Sequence, residues 1–246
     1  MALDWSAEIL RVSLFSTDMV TLTAADWKTI TGQDEAEIEQ KVVARRTFSG
    51  PFLGGQLNVS AVGPRIDCIL TPKPPTEAIT EPFVPSVGSW PEARREFLKA
   101  TQDWVGGIQV PVIRIAFGTT LLAQCADREA AYKALLGLLK SVQGDHTRMR
   151  EMLFRINWPV NSKAVNDLLL NRITNWSVLQ IHLQLMIQTD AKPLFDDLPT
   201  AHVVRLEMDH NTDAERTEPF DPNRLIPIYT ELSELALENA EQGELP

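Results

Sequence analysis

Cysteine is scarce in this chain, which has only Cys68 and Cys125 among its 246 residues. Two cysteines are too few for the disulfide framework of a small secreted domain or for a zinc-finger ligand set. Both lie in apolar, strand-like stretches, so we expect them to be buried free thiols.

Long hydrophobic runs are also missing, since no apolar stretch approaches the roughly 20 residues that a membrane span needs. The first eight residues lack the basic region of a signal peptide and contain early acidic residues. We therefore expect a soluble, cytoplasmic protein that does not enter a membrane.

Positive charge is in the minority, with 23 Lys and Arg residues against 33 Asp and Glu residues and a net charge of -10. An acidic body repels a phosphate backbone, so nucleic-acid binding over the whole surface is disfavoured. A local basic patch would have to overcome that field. Hydrophobic residues at 44% and charged residues at 23% are typical of a folded globular protein.

The motifs of the common nucleotide-binding and hydrolytic enzymes are absent from the sequence. The pairs Gly54-Gly55 and Gly106-Gly107 lack the spacing of a phosphate-binding loop. No G-x-S-x-G nucleophile elbow and no H-E-x-x-H zinc motif occurs. Enzymatic activity therefore stays undecided, with a leaning against it, and no cofactor is predicted.

Six prolines between residues 71 and 91 separate two strand-rich parts of the chain. Each proline removes a backbone N–H donor and restricts φ, so neither a helix nor a central strand tolerates this density. We predict an N-terminal strand-rich unit over 1–71, a connector over 72–91 and a C-terminal α+β unit over 92–246. The two units could share one sheet.

Alternation of apolar and polar residues predicts most of the strands. Before the connector the candidates are residues 5–15, 41–48, 53–62 and 65–70, with turns at Ser49-Gly50-Pro51 and at Ala61-Val62-Gly63-Pro64. After it they are residues 113–121, 154–160, 175–187 and 203–209. In the segment 175–187, Leu179 and Ile181 begin the predicted apolar face.

Helices are predicted over residues 24–30, from Pro91 to the Gly106-Gly107 pair, over 127–140 and over 221–241. The last has a regular apolar stripe, whereas Glu231, Glu234 and Glu238 form a face that we expect to be solvated. The order of elements predicts an α+β fold. We expect mostly antiparallel sheets in two halves, helices packed on one face and a long C-terminal helix.

Two carboxylates, Glu207 and Asp209, form the most metal-like group in the sequence. Two residues apart on a strand, they share a face with about 7 Å between them. They could hold a divalent cation, with Asp213 or Glu215 contributing from the following loop. The alternative is a polar strand face without a ligand, because hard cations need several converging oxygens and spacing sets only two.

Arginines fall in or beside six different predicted strands, at Arg11, Arg65, Arg114, Arg155, Arg172 and Arg205. If these strands share a sheet, their guanidinium groups could line one polar face and bind carboxylates or phosphates. The candidate anion-binding residues are Arg65, Arg114, Arg155 and Arg205. The alternative is that each arginine pairs with a neighbouring acid such as Glu8, Asp67 or Glu207.

Several segments form a set that spans most of the chain: Gly50-Pro51-Phe52-Leu53-Gly54-Gly55-Gln56-Leu57, Pro64-Arg65-Ile66-Asp67, Arg114-Ile115-Ala116-Phe117-Gly118, Asn171-Arg172-Ile173-Thr174-Asn175-Trp176-Ser177 and Leu206-Glu207-Met208-Asp209-His210-Asn211-Thr212. This set resembles a family of uncharacterised, sporadically distributed bacterial proteins of similar length. The resemblance implies a bacterial source and an accessory role, and it supplies no catalytic residue.

We therefore predict a non-catalytic binding or assembly component of a bacterial multi-protein system, whose partner is another protein or a second copy of the chain. One alternative is a metal-dependent enzyme that uses Glu207 and Asp209. The other is a sensor that binds an anion or nucleotide through its strand arginines.

Overall fold

One antiparallel sheet extends through the molecule, and helices cover one of its two faces. The computed structural model describes residues 3–43, 45–75, 82–182, 184–187, 194–197 and 200–244. The strands of the large sheet are β1 (Ser6–Ser16), β2 (Ile38–Val42), β3 (Arg45–Phe52), β4 (Gly55–Val62), β5 (Arg65–Pro72), β6 (Val112–Cys125), β7 (Leu153–Asn157), β8 (Val160–Asn161), β9 (Leu169–Ile181) and β12 (Ala201–Thr212). A separate small sheet contains β10 (Gln184–Ile187) and β11 (Leu194–Asp197).

The four predicted helices are confirmed as α1 (Ala24–Thr31), α2 (Trp90–Gly107), α3 (Arg128–Leu138) and α4 (Pro222–Gln242). Carboxylates at the predicted caps stabilise two helix starts: Asp127 accepts a hydrogen bond from the Ala130 N–H, and Asp221 accepts one from the Asn223 N–H. Among the residues that the structure describes, no helix has the length and apolar character needed to cross a membrane.

The core lies between the helices and one face of the sheet. Leu10 and Val12 of β1 and Phe117 of β6 are fully buried there, as are the helix residues Phe97 and Leu232. Helices α2 and α4 also meet through a polar contact, because the hydroxyl groups of Thr101 and Tyr229 lie 2.7 Å apart. The predicted α+β fold, with helices packed on one face and a long C-terminal helix, is confirmed.

The element order repeats itself around the centre of the sheet. The strands are arranged β2-β3-β4-β5-β1-β6-β12-β9-β7, with β8 beside β9. The series β1-α1-β3-β4-β5-α2 is followed by β6-α3-β7-β9-β12-α4. In each series the first strand lies at the centre of the sheet, the last strand lies beside it, and the earlier strands lie progressively further out. β1 and β6 pair antiparallel at the centre, so each series lies on its own side of this pair.

The proline-rich connector lies between β5 and α2, within the first of these two series. Pro72 ends β5, residues 73–75 and 82–89 form no helix or extended strand, and residues 76–81 lie outside the described part. The Val87 N–H donates to the Ala7 carbonyl over 2.8 Å, and the Trp90 N–H donates to the Trp5 carbonyl over 2.8 Å. Both predicted units supply strands to the same sheet, since β1 pairs with β5 on one side and with β6 on the other.

The strand predicted over 41–48 is wrong, because a hairpin of β2 and β3 occupies this region. The turn predicted at Ser49-Gly50-Pro51 is also wrong, since these residues lie inside β3. The turn follows at Leu53 and Gly54, whose φ angles are 44° and 75°. Gly50 instead allows close packing, because a Cβ there would lie 3.2 Å from the Trp27 ring of α1.

The strand predicted over 175–187 begins earlier and faces the other way. β9 runs from Leu169 to Ile181, and its even-numbered residues Leu170, Thr174 and Trp176 are buried toward the helices. Leu179, predicted for the apolar face, is 37% exposed on the opposite side. The alternation near the end of the strand therefore indicated the wrong face, because the fully buried side chain of Trp176 lies on the other one.

The expectation that Glu231, Glu234 and Glu238 are all solvated is wrong for Glu231, which is buried. Its carboxylate accepts hydrogen bonds from the Ser162 hydroxyl at 2.5 Å and from the Lys163 N–H at 2.6 Å. Glu238 is half-exposed and lies 3.9 Å from the Arg172 guanidinium. The loop after β8 passes over α4, and sequence periodicity contains no information about such a neighbour.

The segment after α4 is attached to the end of α3. The Glu244 N–H donates to the Leu138 carbonyl over 2.9 Å, and the Glu244 carboxylate accepts from the Ser141 N–H over 2.9 Å. Gly243 has a φ of 79°, and a Cβ at this position would collide with the Leu138 carbonyl oxygen. Glycine is therefore required here both by its backbone conformation and by the close approach.

Candidate functional site

The helix-free face, meaning the side of the sheet toward which Arg11, Gly118 and Asp209 point, carries the candidate site. Strand register places two rows of side chains side by side across this face. One row consists of Asn157, Ile173, Asp209, Gly118 and Arg11. The next consists of Arg155, Asn175, Glu207, Thr120 and Ile9. No element in the described part of the chain covers the centre of these rows, where the side chains of Asp209 and Glu207 are 42% and 36% exposed.

Arginine is concentrated on the helix-free face, although the chain as a whole is acidic. Its strands carry six arginines there: Arg11, Arg45, Arg65, Arg114, Arg155 and Arg205. The carboxylates on the same face are Glu8, Asp67, Glu207 and Asp209. The strands of this face therefore contribute a net positive charge, whereas the whole chain has a charge of -10.

Exposed apolar side chains are found at the margins of the same face. Among the residues whose side chains the structure describes, nine large hydrophobic residues are exposed, and six of them lie here: Ile38, Val42, Val62, Leu153, Leu169 and Leu179. Leu153 is the most exposed of the six, at 68%. At one end of the central strands the face is not exposed to solvent, since its residues Leu122 and Val203 are buried.

Two of the predicted anion-binding arginines, Arg65 and Arg114, lie away from the centre and share an aromatic neighbour. Their guanidinium carbons lie 5.3 Å and 4.9 Å from the centre of the Phe15 ring. Arg65 also forms an ion pair of 2.7 Å with Asp67. These two residues therefore form a cation–π cluster, separate from the carboxylates at Glu207 and Asp209.

A pocket of about 280 Å³ occupies the middle of the helix-free face. Its charged lining consists of Arg11, Arg155, Glu207 and Asp209, and Asn175 and Thr120 add neutral polar groups. The structure thus brings together Arg155 and the proposed metal pair. Arg205 lies in the next row, where it contacts Glu207 directly and lies 3.9 Å from Glu8.

Gly118 permits the arrangement of Arg11 in this pocket. The guanidinium of Arg11 lies flat over Gly118, where a Cβ atom would be 2.8 Å from Nη2. From this position Nη2 reaches Asp209 Oδ1 at 3.7 Å. A glycine in the middle of a β-strand often marks such a close approach, and this signal was present in the sequence.

Three polar atoms at the pocket are shielded from solvent and have no hydrogen-bond partner in the described residues. They are Arg11 Nε, Asp209 Oδ1 and Asn175 Oδ1. Asn175 Nδ2 donates to Glu207 Oε2 over 3.4 Å, which leaves Oδ1 as the unused acceptor. Each unsatisfied polar atom costs roughly 1–3 kcal/mol, so the hydrogen bonding of this pocket is incomplete.

The carboxylate of Glu8 lies beside Arg205, at the edge of the charged residues around the pocket, and its pKa is raised. Partial burial raises the pKa of Glu8, and the positive charge of Arg205 opposes that rise.

In contrast, Arg155 is exposed and forms no ion pair or hydrogen bond with the described residues. Arg155 is therefore the arginine of this pocket that is open to an external anion.

The proposed metal pair contacts arginines rather than further acids. Glu207 contacts Arg205, and Asp209 contacts Arg11. The described residues contain no cluster of three or more His, Cys, Asp or Glu side chains placed to hold a metal ion. Asp213 and Glu215 follow on the loop, where the Asp213 carboxylate accepts a hydrogen bond from the Glu215 N–H.

Arg172 differs from the other arginines because it points to the helix side of the sheet. It is buried near Glu238 of α4, and burial lowers its pKa. Next to it on β12, His210 is fully buried, with Nδ1 at 3.3 Å from the Leu232 carbonyl oxygen. Burial lowers the pKa of His210 to about 4, and the charge of Arg172 acts in the same direction. Both residues therefore belong to the core.

Comparisons of the chain with protein-family models, with curated proteins and with solved structures found no significant match. The resemblance to a bacterial family therefore stays a hypothesis, and the geometry of the helix-free face must support any functional proposal.

Proposed function

We propose that this protein is a non-catalytic binding component, which uses its helix-free face to hold an acidic, partly apolar segment of a partner protein. The supporting observation is that one face concentrates six arginines and six exposed large apolar side chains in a chain of net charge -10. Arginine is enriched at protein interfaces, and clustered exposed apolar groups often mark them.

The size of this face suits a partner protein. Strands lie about 4.8 Å apart and side chains on one face repeat about every 6.7 Å. Nine strands and four rows of side chains, the two rows named above and one on either side, therefore span roughly 38 Å by 20 Å. The resulting area of roughly 800 Å² matches what each partner buries in a typical stable complex.

Charge favours an acidic partner over a second copy that uses the same face. Two identical faces would bring equal positive charge together, and like charges across an interface cost binding energy. An acidic segment would instead pair with Arg45 at the margin of the face, while its apolar residues would cover side chains such as Leu153 and Val62.

A peptide-display selection tests this proposal. We expect a random library selected on the intact protein, and counter-selected on a Leu153→Asp variant, to yield peptides that combine acidic and apolar residues. Synthetic versions of these peptides should bind Arg45→Glu at least about tenfold more weakly, because a charge reversal replaces attraction by repulsion. Isothermal titration calorimetry measures this difference.

The control is Lys99→Glu, which reverses an exposed charge on α2 at the opposite side of the molecule. It should leave peptide affinity unchanged. Selection of basic peptides, or equal losses in Arg45→Glu and Lys99→Glu, would contradict the proposal. Binding of single-stranded DNA in preference to any peptide would move the protein to another functional class.

A further inference from the structure

We propose that the pocket at the centre of the helix-free face binds a small zwitterion, of the class of free amino acids, which carries an ammonium group and a carboxylate. This inference does not rest on the partner protein proposed above, because the pocket is defined by five neighbouring strands of this chain alone.

The charge balance of the lining disfavours simple ions as ligands. Two guanidinium groups, from Arg11 and Arg155, face two carboxylates, from Glu207 and Asp209. An isolated anion such as phosphate would lie against both carboxylates, and an isolated metal cation would lie against both arginines. A ligand with both charges can satisfy the two kinds of group at once.

The volume sets the size class of the ligand. At about 280 Å³ the pocket is slightly smaller than the usual range for ligand sites, which is about 300–1,000 Å³. An amino acid fits this space, whereas a nucleotide or a peptide of several residues does not. Ile9 and Ile173 supply an apolar part of the lining that suits an aliphatic side chain.

The positions of the polar groups orient such a ligand. Arg155 is exposed and unpaired among the described residues, so its guanidinium is the group that can bind the carboxylate in a bidentate manner. Asp209 is half-exposed, and Asn175 has an unused side-chain oxygen close by, so these two residues would accept hydrogen bonds from the ammonium group. Arg155 and Asp209 lie on strands separated by β9 and in adjacent rows, roughly 12 Å apart at the backbone, a distance that the long arginine side chain and the ligand together can span.

The unsatisfied atoms explain why a ligand would be accepted. Arg11 Nε and Asp209 Oδ1 are shielded from solvent and unpaired by hydrogen bonds, although the two side chains lie against each other. A ligand ammonium group that draws Asp209 toward itself would provide the missing partner of Oδ1, while the ligand carboxylate binds Arg155. The free energy lost to incomplete hydrogen bonding would then be recovered on binding.

Thermal-shift and calorimetric measurements with a panel of the standard amino acids test this inference. Each amino acid is compared with its amine analogue, which lacks the carboxylate, and with its acid analogue, which lacks the ammonium group. At least one amino acid should raise the melting temperature with increasing concentration, and neither analogue should do so. Ligand at about 10 mM detects dissociation constants as weak as about 1 mM.

Two substitutions locate the site. Asp209→Asn and Arg155→Met should each weaken binding at least about tenfold, since each removes one of the two charges that the ligand pairs with. Their matched controls, Asp103→Asn and Arg95→Met, alter exposed residues of α2 and should bind as the unaltered protein does. Melting curves without ligand show that all four variants are folded.

Three results would overturn the inference. The first is that no amino acid binds at these concentrations. The second is that inorganic phosphate alone or Mg²⁺ alone binds as tightly as any amino acid, which would indicate a simple ion site. The third is that binding survives both Asp209→Asn and Arg155→Met. None of these results bears on the peptide selection, which uses Arg45 and Leu153 at the margins.

Discussion

The buried imidazole of His210 should make the stability of this protein depend on pH in a defined window. The ring is fully shielded from solvent, and its pKa falls from an ordinary value near 6.5 to about 4. The unfolded chain therefore binds a proton near pH 6.5 that the folded protein does not accept until about pH 4. Stability is complete above pH 6.5 and falls as the pH is lowered toward 4.

The magnitude follows from this difference in pKa. Each pH unit between the two values costs about 1.4 kcal/mol, so lowering the pH from 7.5 to 4.5 should remove about 2–3 kcal/mol from the free energy of unfolding through this group alone. Carboxylates contribute their own pH dependence, and a variant without the imidazole isolates the histidine term.

Urea denaturation of His210→Asn at a series of pH values measures this term. The asparagine amide can still donate to the Leu232 carbonyl but does not titrate, so the variant should lose about 2–3 kcal/mol less than the unaltered protein between pH 7.5 and 4.5. His182→Asn replaces an exposed histidine and is the control for removing an imidazole as such. Parallel stability curves for His210→Asn and the unaltered protein would refute the reasoning.

Three further predictions concern stability, and denaturant unfolding checks each of them. Leu232→Ala should destabilise the protein by about 2–5 kcal/mol, because the side chain is fully buried and leaves a cavity; a near-neutral effect would mean that α4 does not pack on the sheet. Glu231→Gln should cost about 1–3 kcal/mol through its weakened hydrogen bonds to the loop, whereas Glu234→Gln on the exposed side of α4 should be close to neutral. Gly32→Ala should cost about 1–2 kcal/mol for its positive φ alone, and Gly243→Ala should cost more because its Cβ also meets a backbone carbonyl; equal losses would contradict this account.

Local signals in the sequence predicted most of the elements. All four helices were found from caps, prolines and apolar stripes, because a helix start is decided by residues within one turn of it. The hairpin turn at Gly63-Pro64 lies within the predicted segment Ala61-Val62-Gly63-Pro64, although Ala61 and Val62 belong to β4. The turn at Ser49-Gly50-Pro51 was not, because Gly50 is needed for packing against Trp27, a residue more than 20 positions away.

For the candidate site, the sequence supplied the residue types and the structure supplied their partners. Alternation along β12 placed Glu207 and Asp209 on one face, and the arginines were recognised as a possible set. Only the order of strands in the sheet decided that Arg155 lines the same pocket as this pair, that Arg65 and Arg114 join Phe15 elsewhere, and that Arg172 faces the helices.

The composition and periodicity of this chain determined its secondary structure and fold class, because these depend on neighbours within a few residues. The pairing of β1 with β6, which joins the two halves, depends on residues about 100 positions apart. The pocket exists only through that pairing, since Arg11 comes from β1 and Gly118 from β6. Tertiary structure alone therefore decided which charges meet, because contacts across strands follow register and strand order rather than distance along the chain.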